Sequence, residues 1–246
     1  MSRSTQVIER EQPDRLADAA VVLSGVAKSF TRGSATTQVL RSIDLRIEPG
    51  ECVYLLGPSG SGKTTLMSII GCLLTPDAGD VRVLGQDVLG LSLEQRARLR
   101  RRSLGFIFQR FHLIRGLTAI ENVATPLRLD GQNSRDAEEK ALWLLERVGI
   151  ADKAREAPQR LSVGQCQRIA VARAVAADPQ LVLADEPTAS LDAESGKQAM
   201  RLLRELTVEE GKTLIIVTHD HRILPSGGAA DRIVSMDSGR LVHSTA

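Results

Sequence analysis

From residue 21 onward, short apolar runs alternate with longer amphipathic stretches. "VVLSGVAKSF" alternates apolar and polar positions and predicts a strand. "QVLRSIDLRIEPGECVYLLG" supplies two further apolar runs, broken where Pro49-Gly50 forces a turn. Leu55 leads into a glycine-rich loop, and the apolar segment "TTLMSIIGCLL" after it predicts a helix. "DVRVLGQDV" reads as a short strand with a turn, "SLEQRARLRRRSL" as a basic helix, and "GFIFQ" as a short buried strand.

The middle of the chain changes period. "TAIENVATPLRL" and "SRDAEEKALWLLERVG" both read as helices, the second with Leu142, Leu145 and Val148 as its apolar face. A further helix is expected from about Val163 to Ala177, stopped by Asp178-Pro179. "LVLAD" and "TLIIVTHD" are unbroken apolar runs, as strands need when a parallel sheet is covered on both faces. The helix between them should run from near Asp192 to near Gly211, and "DRIVSMDSGRLV" should fold as a hairpin around Asp237-Ser238-Gly239. This order predicts an α/β fold: a mainly parallel core sheet, an antiparallel β subdomain on the N-terminal side, and an α-helical subdomain over about residues 110–178. Residues 1–19 form a polar extension, and 20–246 one domain.

Composition narrows this picture. Of 246 residues 42% are hydrophobic and only 2% aromatic, so the core must be built from Ala, Val, Leu and Ile. So few rings argue against single-stranded nucleic acid, which is bound on stacking platforms. A net charge of +2 gives no broad field for polyanions. Cys52, Cys72 and Cys166 lie far apart and outside metal-ligand spacing, which suits a reducing cytosol. No apolar run approaches the ~18 residues of a membrane span, and "MSRSTQVIEREQPDRLADAA" lacks a signal-peptide core. A soluble cytoplasmic chain is expected, with any membrane role requiring a separate partner.

Four stretches carry chemistry. "GPSGSGKTT", Gly57 to Thr65, fits G-x-x-x-x-G-K-[ST] between a strand and a helix. Its glycines let backbone N–H groups wrap phosphate oxygens at a helix N-terminus. Lys63 would reach the β- and γ-phosphates, and the Thr64 hydroxyl would ligate Mg²⁺. "LVLADEP" ends an apolar strand in Asp185, suited to the Mg²⁺ hydration shell, followed by Glu186, suited to activate an attacking water. Gln109 closes "GFIFQ", and a glutamine at a strand end can contact Mg²⁺ and the attacking water; a plain loop amide is the other reading. His219 ends "TLIIVTHD", just past a parallel strand's carboxyl end, where ligands bind in such sheets.

Taken in order, "GPSGSGKTT", Gln109, "LSVGQCQRIAVARA", "LADEPTASLD" and His219 resemble the ATPase subunit of ATP-binding-cassette transporters, a P-loop NTPase family. The resemblance spans about Val21 to Leu241. It implies ATP and Mg²⁺ as cofactors, with Gly57, Pro58, Ser59, Gly60, Ser61, Gly62, Lys63, Thr64 and Thr65 around the phosphates. It implies Thr64, Gln109 and Asp185 at the metal, and Glu186, His219, Lys63 and Gln109 in catalysis. Phe30 falls where the family sets a ring against adenine; a core phenylalanine is the alternative. Ser162, Gly164 and Gln165 would contact ATP held by a partner subunit, and Ser190, Leu191 and Asp192 would communicate across the dimer. A head-to-tail homodimer and a separate membrane permease follow, with a periplasmic adaptor beyond it as a further candidate partner, placing the chain at the inner face of the cell membrane. No nucleic-acid partner is expected.

"IIGCLLTPDAG", "LGFIFQRFHLIRGLTAIENV" and "IIVTHD" resemble a narrower subgroup of macrolide-exporter, lipoprotein-releasing and heterocyst-glycolipid-exporter ATPases. Export, or release of lipids or lipoproteins, is the function this implies. The alternatives are a cassette ATPase acting on nucleic acid or ribosomes, and a nucleotide-dependent binding module without hydrolysis. Two features stay open. Val163 stands where the signature usually has glycine, predicting slower or weaker closure of the dimer rather than a dead site. The run Arg96, Arg98, Arg100, Arg101 and Arg102 reads either as a solvated helix face or as contact with an acidic permease loop or anionic lipid.

Overall fold

The computed structural model describes residues 19–224 and 231–245. The polar extension before Ala19 lies outside the described residues. The elements are β1 (Val21–Arg32), β2 (Ala35–Ile47), β3 (Cys52–Leu56), α1 (Lys63–Ile70), β4 (Ala78–Val83), β5 (Gln86–Asp87), α2 (Leu93–Ser103) and β6 (Leu104–Ile107). They continue with α3 (Ala119–Leu129), α4 (Ser134–Arg147), α5 (Val163–Val175), β7 (Leu181–Asp185), α6 (Ala193–Glu205), β8 (Thr213–Thr218), β9 (Asp231–Asp237) and β10 (Arg240–Thr245).

Two sheets form. One is antiparallel, in the order β2-β1-β4-β5; the other runs β10-β9-β3-β8-β7-β6 and is parallel except for the β9–β10 hairpin. Successive side chains of a strand point to opposite faces, and here both faces are covered. Cys52, Tyr54, Val182, Ala184, Leu214 and Ile216 enter a core shared with α3 to α6. Their neighbours Val53, Leu55, Leu181, Leu183, Ile215 and Val217 enter a second core, closed by α1 and the antiparallel sheet. That is why β3, β7 and β8 read as unbroken apolar runs.

The helices start where their sequences provide caps. Ser92 with Gln95, Thr118 with Glu121 and Ser162 with Gln165 each form a capping box, and Asn133 and Asp192 cap α4 and α6. Two helices are shorter than expected. The first stops at Ile70: Cys72 turns to a left-handed φ of 56°, and Gly71 sits so close to β6 that a Cβ there would lie 2.6 Å from the Phe106 ring. The helix from Asp192 ends at Glu205, and a separate single turn, Val208–Glu210, completes the stretch to Gly211.

The apolar face of α4 also differs. Leu145 and Val148 are buried, but Leu142 is 39% exposed, and the buried stripe is Ala137, Ala141, Leu144, Leu145 and Val148. The two alanines carry the inner face because α3 packs closely against it.

The basic run is resolved too. Arg96 donates to the Leu91 and Leu89 carbonyls and to Thr75, and Arg100 to the Cys72 carbonyl. Both Arg101 and Arg102 reach Asp130 at the end of α3. These contacts tie loops and helices together, while Arg98, Arg101 and Arg102 stay exposed on the helix surface.

Candidate active site

The strands β3, β7 and β8 are neighbours, so their carboxyl ends share one edge of the sheet. After β3 the chain turns through residues 57–62 into α1. Gly57 has no room for a side chain, since a Cβ would lie 2.1 Å from the Met236 carbonyl oxygen, and Gly62 takes a left-handed φ of 103° as the residue before the helix. Lys63 Nζ lies beneath this loop, donating to the carbonyls of Gly57 (2.7 Å) and Pro58 (2.9 Å). Thr64 Oγ1 donates to Asp185 Oδ1 across 3.2 Å, joining the loop to the end of β7.

Burial shapes the charges here. It lowers the Lys63 pKa, against the pull of Glu186 and Asp185, and raises that of Asp185, against the Thr64 hydrogen bond. Each group would hold its charge more readily beside an opposite charge. A buried ammonium, loop N–H groups, a hydroxyl and a carboxylate are the donor set that a Mg²⁺-bound triphosphate requires, so the residues present fit both groups.

Glu186 follows Asp185 with a left-handed φ of 48°, an uncommon backbone for a non-glycine residue. Its N–H donates to the Val217 carbonyl of β8 (2.8 Å). The side chain is 13% exposed; His219 Nδ1 lies 2.6 Å from Oε1, and the Thr218 hydroxyl donates to Oε2 at 3.4 Å. The imidazole of His219 itself is well exposed. Lys63, Thr64, Asp185, Glu186 and His219, scattered over more than half the chain, therefore converge.

Other expected residues stand apart. Gln109 is exposed in the turn after β6, and its side chain makes no hydrogen bond to Thr64 or Asp185. Phe30 is half-exposed on β1 with the Lys28 ammonium 5.7 Å from its ring centre, which removes the core reading. The side chains of Ser162 and Gln165 bond each other's backbone: Gln165 N–H donates to Ser162 Oγ at 3.2 Å, and Ser162 N–H to Gln165 Oε1 at 2.9 Å. Gly164 is open enough that a Cβ would meet nothing within 4 Å.

Nothing in the sequence marked Thr218, since a threonine closing an apolar strand reads as a β-former. Nor did it mark Arg173 and Asn122, which shape the segment after Gln109. Arg173 donates to the carbonyls of His112 (2.7 Å) and Phe111 (2.6 Å), two successive left-handed residues. The buried Asn122 amide bonds Ile114 N–H and the carbonyls of Ile114, Leu117 and Thr118. Beside this segment lies a largely apolar cavity of about 530 Å³, lined in part by Phe106, Phe108, His112, Ile114, Leu129 and Arg173.

The sequence profile described as "ABC transporter" matches residues 40–189. The chain belongs to the ABC transporter family. Its fold is that of an ATP-binding cassette. The cassette is 42% identical over 231 residues to the "Macrolide export ATP-binding/permease protein MacB" of Rhodopseudomonas palustris, covering 94% of this chain and 35% of that protein. With the protein of the same name from Sodalis glossinidius it shares 44% over 225 residues, 92% of this chain and 34% of that one. The chain thus spans about a third of the length of the curated relatives it matches. Among solved structures it resembles the ATP-binding cassette MJ0796, dimeric in a post-hydrolysis state with ADP and Pi, at 38% identity and TM-score 0.84. That match covers 92% of this chain and 97% of the other, and a second dimeric structure of MJ0796, "a Bacterial ABC Transporter Cassette", matches equally in fold at 37% identity.

Among the described residues, no helix is long and apolar enough to cross a membrane. Cys52, Cys72 and Cys166 are buried and form no disulfide.

Proposed function

We propose that this cassette hydrolyses ATP in sites shared by two copies arranged head to tail, and that their closing and opening drives a separate membrane permease in export at the cell envelope. The observation that carries the reading is the grip on Glu186 at the edge where Lys63, Thr64 and Asp185 also meet. Phosphoryl transfer needs positioning and charge stabilisation rather than covalent chemistry. Mg²⁺ neutralises phosphate charge when bound. Gly57 to Thr65 would cradle the phosphates, with Lys63 as the cation; Thr64 and Asp185 would hold the metal; Glu186 would take the proton of the attacking water. His219 steadies Glu186 and approaches the γ-phosphate, and Phe30 lies against the adenine.

Ser162, Gly164 and Gln165 complete the site of the other copy. The exposure of Ser162 at the start of α5 and the dimeric MJ0796 structures support this. Gln109 reports nucleotide state to the segment ending at Val123, beside the apolar cavity, where a permease helix would dock. Relatives named as macrolide export proteins that join cassette and permease support export and placement at the inner membrane face; release of lipids or lipoproteins is the other cargo class, and an adaptor beyond the permease would extend the path outward.

Mg²⁺-dependent phosphate release by the purified chain, lost in Lys63→Ala, together with co-purification of an integral membrane protein, is the expected result. Recovery with ribosomes or nucleic acid instead would overturn the transport reading.

A further inference from the structure

We infer that Thr218 is a positioning residue for ATP hydrolysis, fixing the carboxylate of Glu186 through its hydroxyl. This rests on reading Glu186 as the base that activates water. Thr218 is fully buried at the end of β8. Its Oγ1 accepts the Asp220 N–H at 2.9 Å, which turns the hydroxyl proton away from that side and leaves it for Glu186 Oε2, 3.4 Å off. Such bonds are often long before substrate binds and tighten in the reacting complex.

Three successive residues of one strand end then hold one residue of its neighbour. Val217 accepts the Glu186 N–H, Thr218 binds Oε2 and His219 binds Oε1. The backbone contact holds Glu186 at its φ of 48°. The two side-chain contacts fix the plane of the carboxylate, and hence the direction from which it can take a proton from water. His219 alone leaves the carboxylate free to swing about one oxygen. Thr218 removes that freedom.

Thr218→Val keeps the β-branched shape and removes only the hydroxyl. It should lower kcat on the order of 10-fold, below the ~10²–10⁴ that a general base itself supplies, with KM for ATP unchanged. Thr218→Ser, which restores the hydroxyl, should recover the rate. In a Glu186→Gln background, Thr218→Val should change neither ATP affinity nor the ATP-bound dimer. A hydroxyl needed only for the turn at residues 218–220 would instead show as lost thermal stability and ATP affinity in both backgrounds. That outcome, wild-type kcat in Thr218→Val, or failure of serine to rescue would each overturn the assignment. Absence of ATP hydrolysis in the wild-type chain would strike the functional reading itself.

Discussion

At the level of single residues, the site couples ordinary folding chemistry to the reaction. Ser162 does what a helix N-cap does, and its hydroxyl and N–H are both engaged by Gln165. The N–H groups of Val163 and Gly164 are left as the free donors of the first turn, which carries the positive end of the helix dipole. Val163 adopts helical geometry there at a propensity cost under ~1 kcal/mol, and its side chain is 47% exposed. Its own cassette therefore imposes no clash, and any crowding arises only against a second copy. Val163→Gly should speed ATP-dependent dimerisation, measured by light scattering after mixing, while leaving the fold of the free cassette intact; an unchanged rate would show that the valine clears its partner. Glu186→Gln should cut turnover by ~10²–10⁴ and accumulate an ATP-bound dimer on size exclusion. Rapid hydrolysis by that variant would remove Glu186 from the role of base. Lys63, Thr64 and Asp185 were legible in the sequence because phosphate and metal chemistry needs them at fixed spacing beside a strand and a helix. Thr218 was not, because its task depends on which strand lies next to β8.

Elements show the same division. Caps at Ser92, Thr118, Asn133, Ser162 and Asp192 follow from local composition, and the helices begin where the caps stand. Helix faces depend on neighbours. Leucine at 142 reads as apolar core, yet the close approach of α3 reserves the inner stripe of α4 for Ala137 and Ala141. The path of residues 108–118 was likewise unreadable, because Arg173 and Asn122 set it from α5 and α3. Asn122 satisfies one N–H and three carbonyls of that region. A buried group left unpaired costs about 1–3 kcal/mol, so Asn122→Leu should lower the melting temperature and expose the segment. Faster tryptic cleavage at Arg115 would report it, and wild-type resistance would show that the segment is held by other contacts.

For the whole molecule, the proposed sharing of ATP sites between two copies has a direct test. Lys63→Ala removes the proposed phosphate cation, and Ser162→Arg blocks the proposed signature end of α5, so each variant alone should be inactive. In a mixed dimer the Ser162→Arg copy still has an intact phosphate loop, and the Lys63→Ala copy still has an intact signature. Mixing should therefore regain part of the ATPase activity. If the mixture stays as inactive as its components, the sites are not shared between copies. The fold class was readable at this scale because unbroken apolar strands between helices demand a sheet covered on both sides.

The alternating side chains of β3, β7 and β8 set how the molecule comes apart. These strands are a common wall between the two cores, and neither core can dissolve without stripping the wall that closes the other. Heat should find one cooperative transition, not two. Trp143, the only tryptophan, is half-exposed on α4 with the Arg147 guanidinium over its ring, so its fluorescence reports on that helix, while far-UV circular dichroism follows the entire chain. Coincident midpoints are expected; a tryptophan signal lost well before the ellipticity would mean that the helices peel away while the wall still stands.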